Sequence, residues 1–362
     1  MKVLITAPDL DDTRQVGGII TLVNTIISVI NVRYTIFVRS PSAGEQNLLG
    51  KIKWIWKIIA YLKLCSSKDY DVIHIHTAMN RPALLRDFIL VFIGDLTRSR
   101  ILLHLHGGKY LFELPGSRTL RNLIKRMYLK SRAIIVLSEK EKESIIGLYQ
   151  VAVPVYVLEN AINTDLVSDE IVQFKKKWKS GPLKLIFIGR ITESKGIHEI
   201  VQALIELNEI TTKFDLDFYG DGDLKDYVLK KLDPVLKERF KYHGIVSGNE
   251  KWTALQQSDV FLLPSRYGEG LPMALLEAMF LGKIVVTTND GSMGVIVNNR
   301  INGFVINKHN AAGLKGVLME VMDFTTEQVE EMARVAKSTV LKNYSASQYI
   351  KKLESIYSEI AM

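Results

Sequence analysis

Gly268-Glu269-Gly270-Leu271-Pro272-Met273-Ala274-Leu275-Leu276-Glu277-Ala278 is the stretch around which this chain is organised. A carboxylate between two glycines stands just ahead of a proline, and an apolar run holding a second carboxylate follows. Proline suits the first turn of a helix, where its missing N–H would have no partner anyway. Gly282 is a natural stop. The pattern predicts a helix over 271–281, with Glu269 at its mouth and Glu277 inside it. A helix mouth offers unpaired N–H groups and a partial positive charge, which suits a phosphate. At helical rise the two carboxylates stand at most about 12 Å apart, one on either side of a bound diphosphate. Taken by itself, the stretch is equally an ordinary surface helix with two solvated glutamates. The surrounding chain has to decide.

The residues before it repeat one theme. A strand over 183–189 runs into a loop holding Arg190 and Lys195, and a helix over 197–207 follows. Two fixed cations at the carboxyl end of a strand form a plausible diphosphate clamp, since arginine supplies a fork and lysine a point charge. A second strand over 216–220 ends at Gly220 and enters Asp221-Gly222-Asp223. That triplet resembles an Asp-x-Asp metal motif, but its flanking glycines fit better a turn that lets a nucleotide approach. Further strands lie at 260–265, 283–288 and 302–306, and C-terminal helices run over 327–360 with a break near Tyr344-Ser345.

The first half carries the same alternation. A strand over 2–7 leads to a loop with Gly17-Gly18, then to a helix over 19–30, the start of a doubly wound α/β unit. Adjacent glycines let backbone N–H groups approach a phosphate, although many structural turns also carry them. The runs 71–76 and 100–106 read as strands with histidines at period two: His74, His76, His104 and His106. No carboxylate completes a ligand set, so no metal is expected. His106 closes its strand and precedes Gly107-Gly108, the end at which open parallel sheets bind ligands. The run 48–65 is different: Trp54, Trp56 and Tyr61 alternate with Lys51, Lys53, Lys57 and Lys63. A basic amphipathic helix with tryptophans reads either as a membrane-surface element or as a helix packed on the sheet with its lysines in water.

Composition narrows the classes. A chain of 362 residues, 47% hydrophobic, fits two ordinary domains. No apolar run reaches the roughly 18 residues that span a bilayer. One cysteine, Cys65, rules out an internal disulfide or a cysteine-rich metal site. The net charge of +8 sits in the first half, where residues 1–160 hold 22 Lys and Arg against 13 Asp and Glu. Such a surface calls for an anionic partner. Zinc-finger spacing and aromatic RNA-recognition motifs are missing, so nucleic acid is not expected.

Two consecutive doubly wound halves and the Glu269/Glu277 pair together resemble a retaining glycosyltransferase of the GT-B fold, family four. Glu269-Gly270-Leu271-Pro272…Glu277-Ala278 matches that family's Glu-x7-Glu signature. Gly17-Gly18, His106-Gly107, Gly189-Arg190…Ser194-Lys195-Gly196 and Leu263-Pro264-Ser265 match in order and spacing. The resemblance spans essentially the whole chain. It departs at the inter-domain turn, where the family often has Asn-Gly before an aspartate and this chain has Asn160-Ala161-Ile162-Asn163.

The resemblance implies two Rossmann-like domains facing a central cleft. An acceptor domain over 1–170 would be completed by a last helix over 345–362, and a nucleotide-sugar domain would cover 171–344. It implies that Gly17 and Gly18 face the donor phosphates across the cleft, and that His106 contacts the donor sugar near the reacting carbon. Arg190 and Lys195 would hold the diphosphate. Gly220 would line the nucleotide turn. Glu269 would bind the transferred sugar beside backbone N–H groups at Gly270 and Leu271, and Glu277 would accept the ribose hydroxyls. The expected activity is transfer of a hexose or N-acetylhexosamine from a nucleotide diphosphate sugar, without a metal, to a saccharide acceptor carried on a lipid. That places the enzyme in bacterial surface polysaccharide biosynthesis, in the cytoplasm and peripheral on the inner face of the membrane, held there by its basic first domain. The competing readings are a GT-B sugar-nucleotide epimerase and a non-catalytic sugar-nucleotide-binding subunit.

Overall fold

The computed structural model describes residues 1–9, 18–29, 32–39, 48–164, 167–168, 170–171 and 178–362. The chain forms two units, one of Met1–Ala161 with Ala346–Met362, the other of Ile162–Ser345. The division falls at the start of the polar, lysine-rich stretch that precedes Ser180-Gly181-Pro182, part of which lies outside the described residues.

The first unit is a six-stranded parallel sheet in the order β2-β1-β3-β4-β5-β6. Its strands are β1 (Lys2–Ala7), β2 (Arg33–Val38), β3 (Val72–Thr77), β4 (Ile101–Leu105), β5 (Ala133–Val136) and β6 (Val155–Val157). Parallel strands covered on both faces read as continuous apolar runs, as these do. Alternation then sorts their side chains. Ile73, Ile75, Leu103 and Ile134 face a core shared with Tyr61, Leu84, Ile124 and Ile145. Val72, Leu102, Ala133 and Ile135 face another, made with Leu22 and Ile26 and with Tyr349, Leu353 and Tyr357 of the last helix, Ala346–Ala361. The helix Leu48–Ser67 buries Tyr61 and Cys65 and lays Trp54, Ile58 and Leu64 on the first core. Its other side exposes Ile52, Ile55, Ile59, Leu62 and Trp56, the last at 67%. Among the described residues no helix is long and apolar enough to cross a membrane.

The second unit repeats the plan in the order β12-β11-β10-β7-β8-β9. Its strands are β7 (Leu183–Ile188), β8 (Phe214–Tyr219), β9 (Phe240–Gly244), β10 (Val260–Leu263), β11 (Ile284–Thr288) and β12 (Phe304–Ile306). All five pairings are parallel. The chain winds outward from β7 through β8 and β9, then returns to place β10 on the other flank of β7. The β7/β10 boundary is therefore a topological switch point, where the loops at the carboxyl ends diverge and leave a crevice.

Candidate functional site

Two loops at that switch point carry the chemistry. After β7, Gly189 and Arg190 lead through a short 3-10 turn, Glu193–Lys195, to Gly196 and the helix Ile197–Asn208. Gly196 has φ 71°, and a Cβ there would stand 2.0 Å from the Pro264 carbonyl oxygen. Only glycine lets the two loops touch at this point. The Arg266 N–H donates to the Ser194 carbonyl at 2.8 Å, and the Arg266 guanidinium holds Glu199 at 2.8 Å and Glu193 at 2.6 Å.

This contact brings Lys195 to Glu269. Lys195 Nζ lies 2.5 Å from Glu269 Oε1, and Ser265 Oγ donates to the same oxygen at 2.5 Å. The Glu269 carboxylate is buried, and its own N–H donates to Asp290 Oδ2 at 2.9 Å. Asp290, in the loop after β11, takes a further hydrogen bond from Lys308 Nζ at 2.5 Å. The Ser292 N–H donates to the Gly270 carbonyl at 3.0 Å, which ties the glycine-flanked loop to the same neighbour. Leu271 is buried beside them.

The helix after this loop is Met273–Phe280, shorter than the expected span over 271–281. Pro272 is its N-cap residue, with ψ 127°, not a member of the first turn. The cause is local, because a residue that precedes proline is pushed out of the helical region and Leu271 cannot extend the helix backward. Glu269 therefore sits in the approach loop, four residues ahead of Met273. Gly282 ends the element with φ 65°, as its sequence position implied.

Glu277 is buried on this helix and pairs with Lys251 of the helix Gly248–Gln257, Nζ to Oε1 at 2.6 Å. Its second oxygen, Oε2, is buried with no hydrogen-bond partner among the described residues. A buried acceptor without a donor costs stability unless a ligand supplies one. Gly220 directly follows β8 with φ 132°, and a Cβ there would fall 1.8 Å from the Gly189 carbonyl oxygen. So that glycine first of all seats the β8 turn against the β7 loop. Arg190 is exposed, with no ion pair among the described residues.

In the first unit, Gly18 opens the helix Gly18–Val29 and is exposed, while Gly17 lies outside the described residues. His106 follows β4 directly and is partly exposed, and its Nε2 lies 2.7 Å from His76 Nδ1. His74, His76 and His104 are fully buried on the same face of the sheet. They bring one nitrogen each within 4.8 Å of one another, with no carboxylate in the group. His74 spends both nitrogens on hydrogen bonds, to Tyr357 at 2.7 Å and His104 at 3.2 Å. Burial holds all four imidazoles below their ordinary range, His74 at about 3.

Within the second unit, then, the structure joins Lys195, Glu269 and Gly270 in one hydrogen-bonded cluster and keeps Glu277 in a separate ion pair. Sequence reasoning did not find Lys251, Asp290 or Lys308. Each is a lone charge whose partner is 26, 21 or 18 residues away, outside any short motif.

Comparison with known proteins matches residues 168–339 to the model for glycosyl transferases group 1 and residues 3–166 to that for glycosyltransferase family 4. A UDP-Gal:alpha-D-GlcNAc-diphosphoundecaprenol alpha-1,3-galactosyltransferase of Escherichia coli is 23% identical over 87% of this chain and 82% of its own length. The amylovoran biosynthesis glycosyltransferase AmsK of Erwinia amylovora is 23% identical over 78% of this chain and 73% of its own. Among solved structures, Anabaena Alr3699/HepE in complex with UDP and glucose superposes with a TM-score of 0.75 at 17% identity, covering 99% of this chain and 100% of that one. The fold is therefore GT-B.

Proposed function

Because this chain belongs to glycosyltransferase family 4, we propose that it moves a hexose or N-acetylhexosamine from a nucleotide diphosphate sugar to a lipid-linked saccharide, with retention of configuration, in surface polysaccharide biosynthesis. The observation that carries this reading is the Lys195–Glu269–Ser265 cluster at the β7/β10 switch point. The galactosyltransferase and the amylovoran enzyme named above support the class of acceptor and pathway.

The residues divide the work as follows. Breaking the bond from sugar to phosphate builds negative charge on the diphosphate. Arg190 and Lys195 stabilise that charge. Glu269 binds the transferred sugar and shares Lys195 with the phosphates. The unpaired Oε2 of Glu277 accepts a ribose hydroxyl. Gly220 lines the nucleotide turn, Gly18 is suited to binding phosphate, and His106 contacts the sugar. Fixed cations carry the leaving-group charge, so the reaction needs no metal. The leaving phosphate takes the acceptor's proton on the same face. The first unit binds the acceptor at an anionic membrane, to which the exposed Ile55, Trp56 and Ile59 and the neighbouring lysines of Leu48–Ser67 are suited.

Thermal denaturation with a panel of nucleotide sugars tests the donor class. A ligand at one hundred times its dissociation constant adds about 2.7 kcal/mol. A diphosphate sugar that raises the melting temperature, where its free sugar does not, is the expected result. No stabilisation by any nucleotide would contradict the reading.

A further inference from the structure

We infer that His76 is a positioning residue for His106, holding it in the tautomer that carries its proton on Nδ1 and so making it a hydrogen-bond donor to an oxygen of the bound sugar. This rests on the reading that His106 contacts the transferred sugar.

The argument starts from the strands. His76 and His104 are register partners in β3 and β4. Period two then puts His74, His76, His104 and His106 on one face of the sheet. The four rings form a packed array, with centroids 4.2 Å apart for His74 and His76, 4.9 Å for His76 and His106, and 4.1 Å for His104 and His106. Such an array exists only if the rings are neutral. Burial disfavours every imidazolium here, and the buried Arg39 cation adds to the effect at His76 and His106.

A neutral imidazole has one N–H and one bare nitrogen. Two ring nitrogens in the array are buried without a partner, His76 Nε2 and His104 Nε2. An orphaned buried N–H is the rarer and costlier state, so both are the bare nitrogens. His76 then carries its proton on Nδ1 and donates across 2.7 Å to His106 Nε2. His106 Nε2 is thereby the acceptor, and the His106 proton sits on Nδ1. The same rule satisfies the other row. His104 Nδ1–H donates to His74 Nε2 at 3.2 Å, and His74 Nδ1–H donates to Tyr357 Oη at 2.7 Å. Every hydrogen bond in the array then has one donor and one acceptor. The opposite assignment buries two N–H groups with no acceptor. A histidine fixed in this way presents a donor to its ligand. It orients a sugar oxygen and does not draw a proton from one.

Nitrogen-15 spectra of the full chain labelled at histidine, with His106 assigned through His106→Gln, read the tautomer directly. Wild type is expected to show His106 protonated at Nδ1. His76→Leu removes the donor, and His106 is expected to become a tautomer mixture while kcat falls at least about tenfold and the donor KM stays within about threefold. His76→Asn keeps an N–H near the Nδ1 position and is expected to restore both. An Nε2-protonated His106 in wild type, or an unchanged His106 spectrum in His76→Leu, would overturn the inference, and the wild-type spectrum decides even if the leucine variant fails to fold. Full transfer activity in His106→Gln would instead overturn the role of His106 on which the inference stands, a result separable from the spectra.

Discussion

Lys195 Nζ and Glu269 Oε1 lie 2.5 Å apart although the residues are 74 positions apart in sequence. The pair forms because β7 and β10 are neighbours in the sheet and Gly196 lets their loops meet at Pro264. A cation and a carboxylate that the sequence assigns to different parts of a substrate are thus one electrostatic unit. Removing Lys195 leaves Glu269 buried without its counter-charge, and removing Glu269 leaves a partly buried lysine without its own. Lys195→Ala and Glu269→Ala are each expected to lower transfer by more than about tenfold, an effect of 1.4 kcal/mol or more. The double variant should fall short of the sum, with a coupling of about 1–3 kcal/mol. A double-mutant cycle in kcat/KM measures it, and additive effects would separate the two residues again.

Glu277 should act on nucleotide affinity and not on the chemical step. Its Oε1 is held by Lys251 and its buried Oε2 has no partner among the described residues. Glu277→Gln keeps the shape but offers an N–H in place of one acceptor, and Lys251→Met releases the carboxylate. Both are expected to weaken binding of the nucleoside diphosphate, seen by calorimetry, by at least about tenfold. Unchanged affinity in both variants would remove the ribose role.

The buried imidazoles make the first unit sensitive to acid. His74 titrates at about 3 in the fold, and His76 and His104 also lie far below 6.5. Below pH 6.5 the unfolded chain binds protons that the folded chain refuses. Stability present at neutral pH is therefore lost as pH falls below 6.5, for His74 down to about 3 at about 1.4 kcal/mol per pH unit. Urea midpoints measured from pH 7 to pH 5 should drop steeply, and less steeply in His74→Phe. A flat profile would mean that the histidines are not buried neutral.

Gly220→Ala tests the nucleotide turn. The new methyl group meets the Gly189 carbonyl in a conformation that disfavours side chains. The variant should lose more than about 1 kcal/mol of stability in the second unit, and nucleotide binding with it. Wild-type stability would show that the turn rearranges freely.

The helix Leu48–Ser67 divides by face. Trp54 packs on the core, while Ile55, Trp56 and Ile59 are exposed. A triple alanine variant of those three is expected to stay folded and to lose flotation with anionic liposomes. Equal flotation would exclude this face as the anchor. Transfer measured in excess chelator should match transfer without it, and loss of activity restored by a divalent ion would contradict the metal-free reading.

The sequence was most legible where one residue type had one physical use. Gly196 and Gly220, with Arg190 and Lys195, fall in the loops that follow β7 and β8, where the alternation of apolar runs and glycines had put strand ends. The helix starts at Met273 and not at Leu271, because proline acts on the residue before it as well as on itself. The period of the four histidines was plain, but Tyr357, the partner of His74, lies 283 residues away. Lys251, Asp290 and Lys308 gave no signal because a surface lysine and a buried, paired one look alike until the fold brings the partner.

The most direct test of the central claim is the anomeric configuration of the product. Purified protein, a stabilising nucleotide sugar and a polyprenyl-diphosphate-linked saccharide are incubated, and the new glycosidic linkage is read by proton NMR. An α-linked donor is expected to give an α-linked product, with Glu269→Ala giving none above background. A β-linked product, or epimerised nucleotide sugar formed without any acceptor, would contradict it.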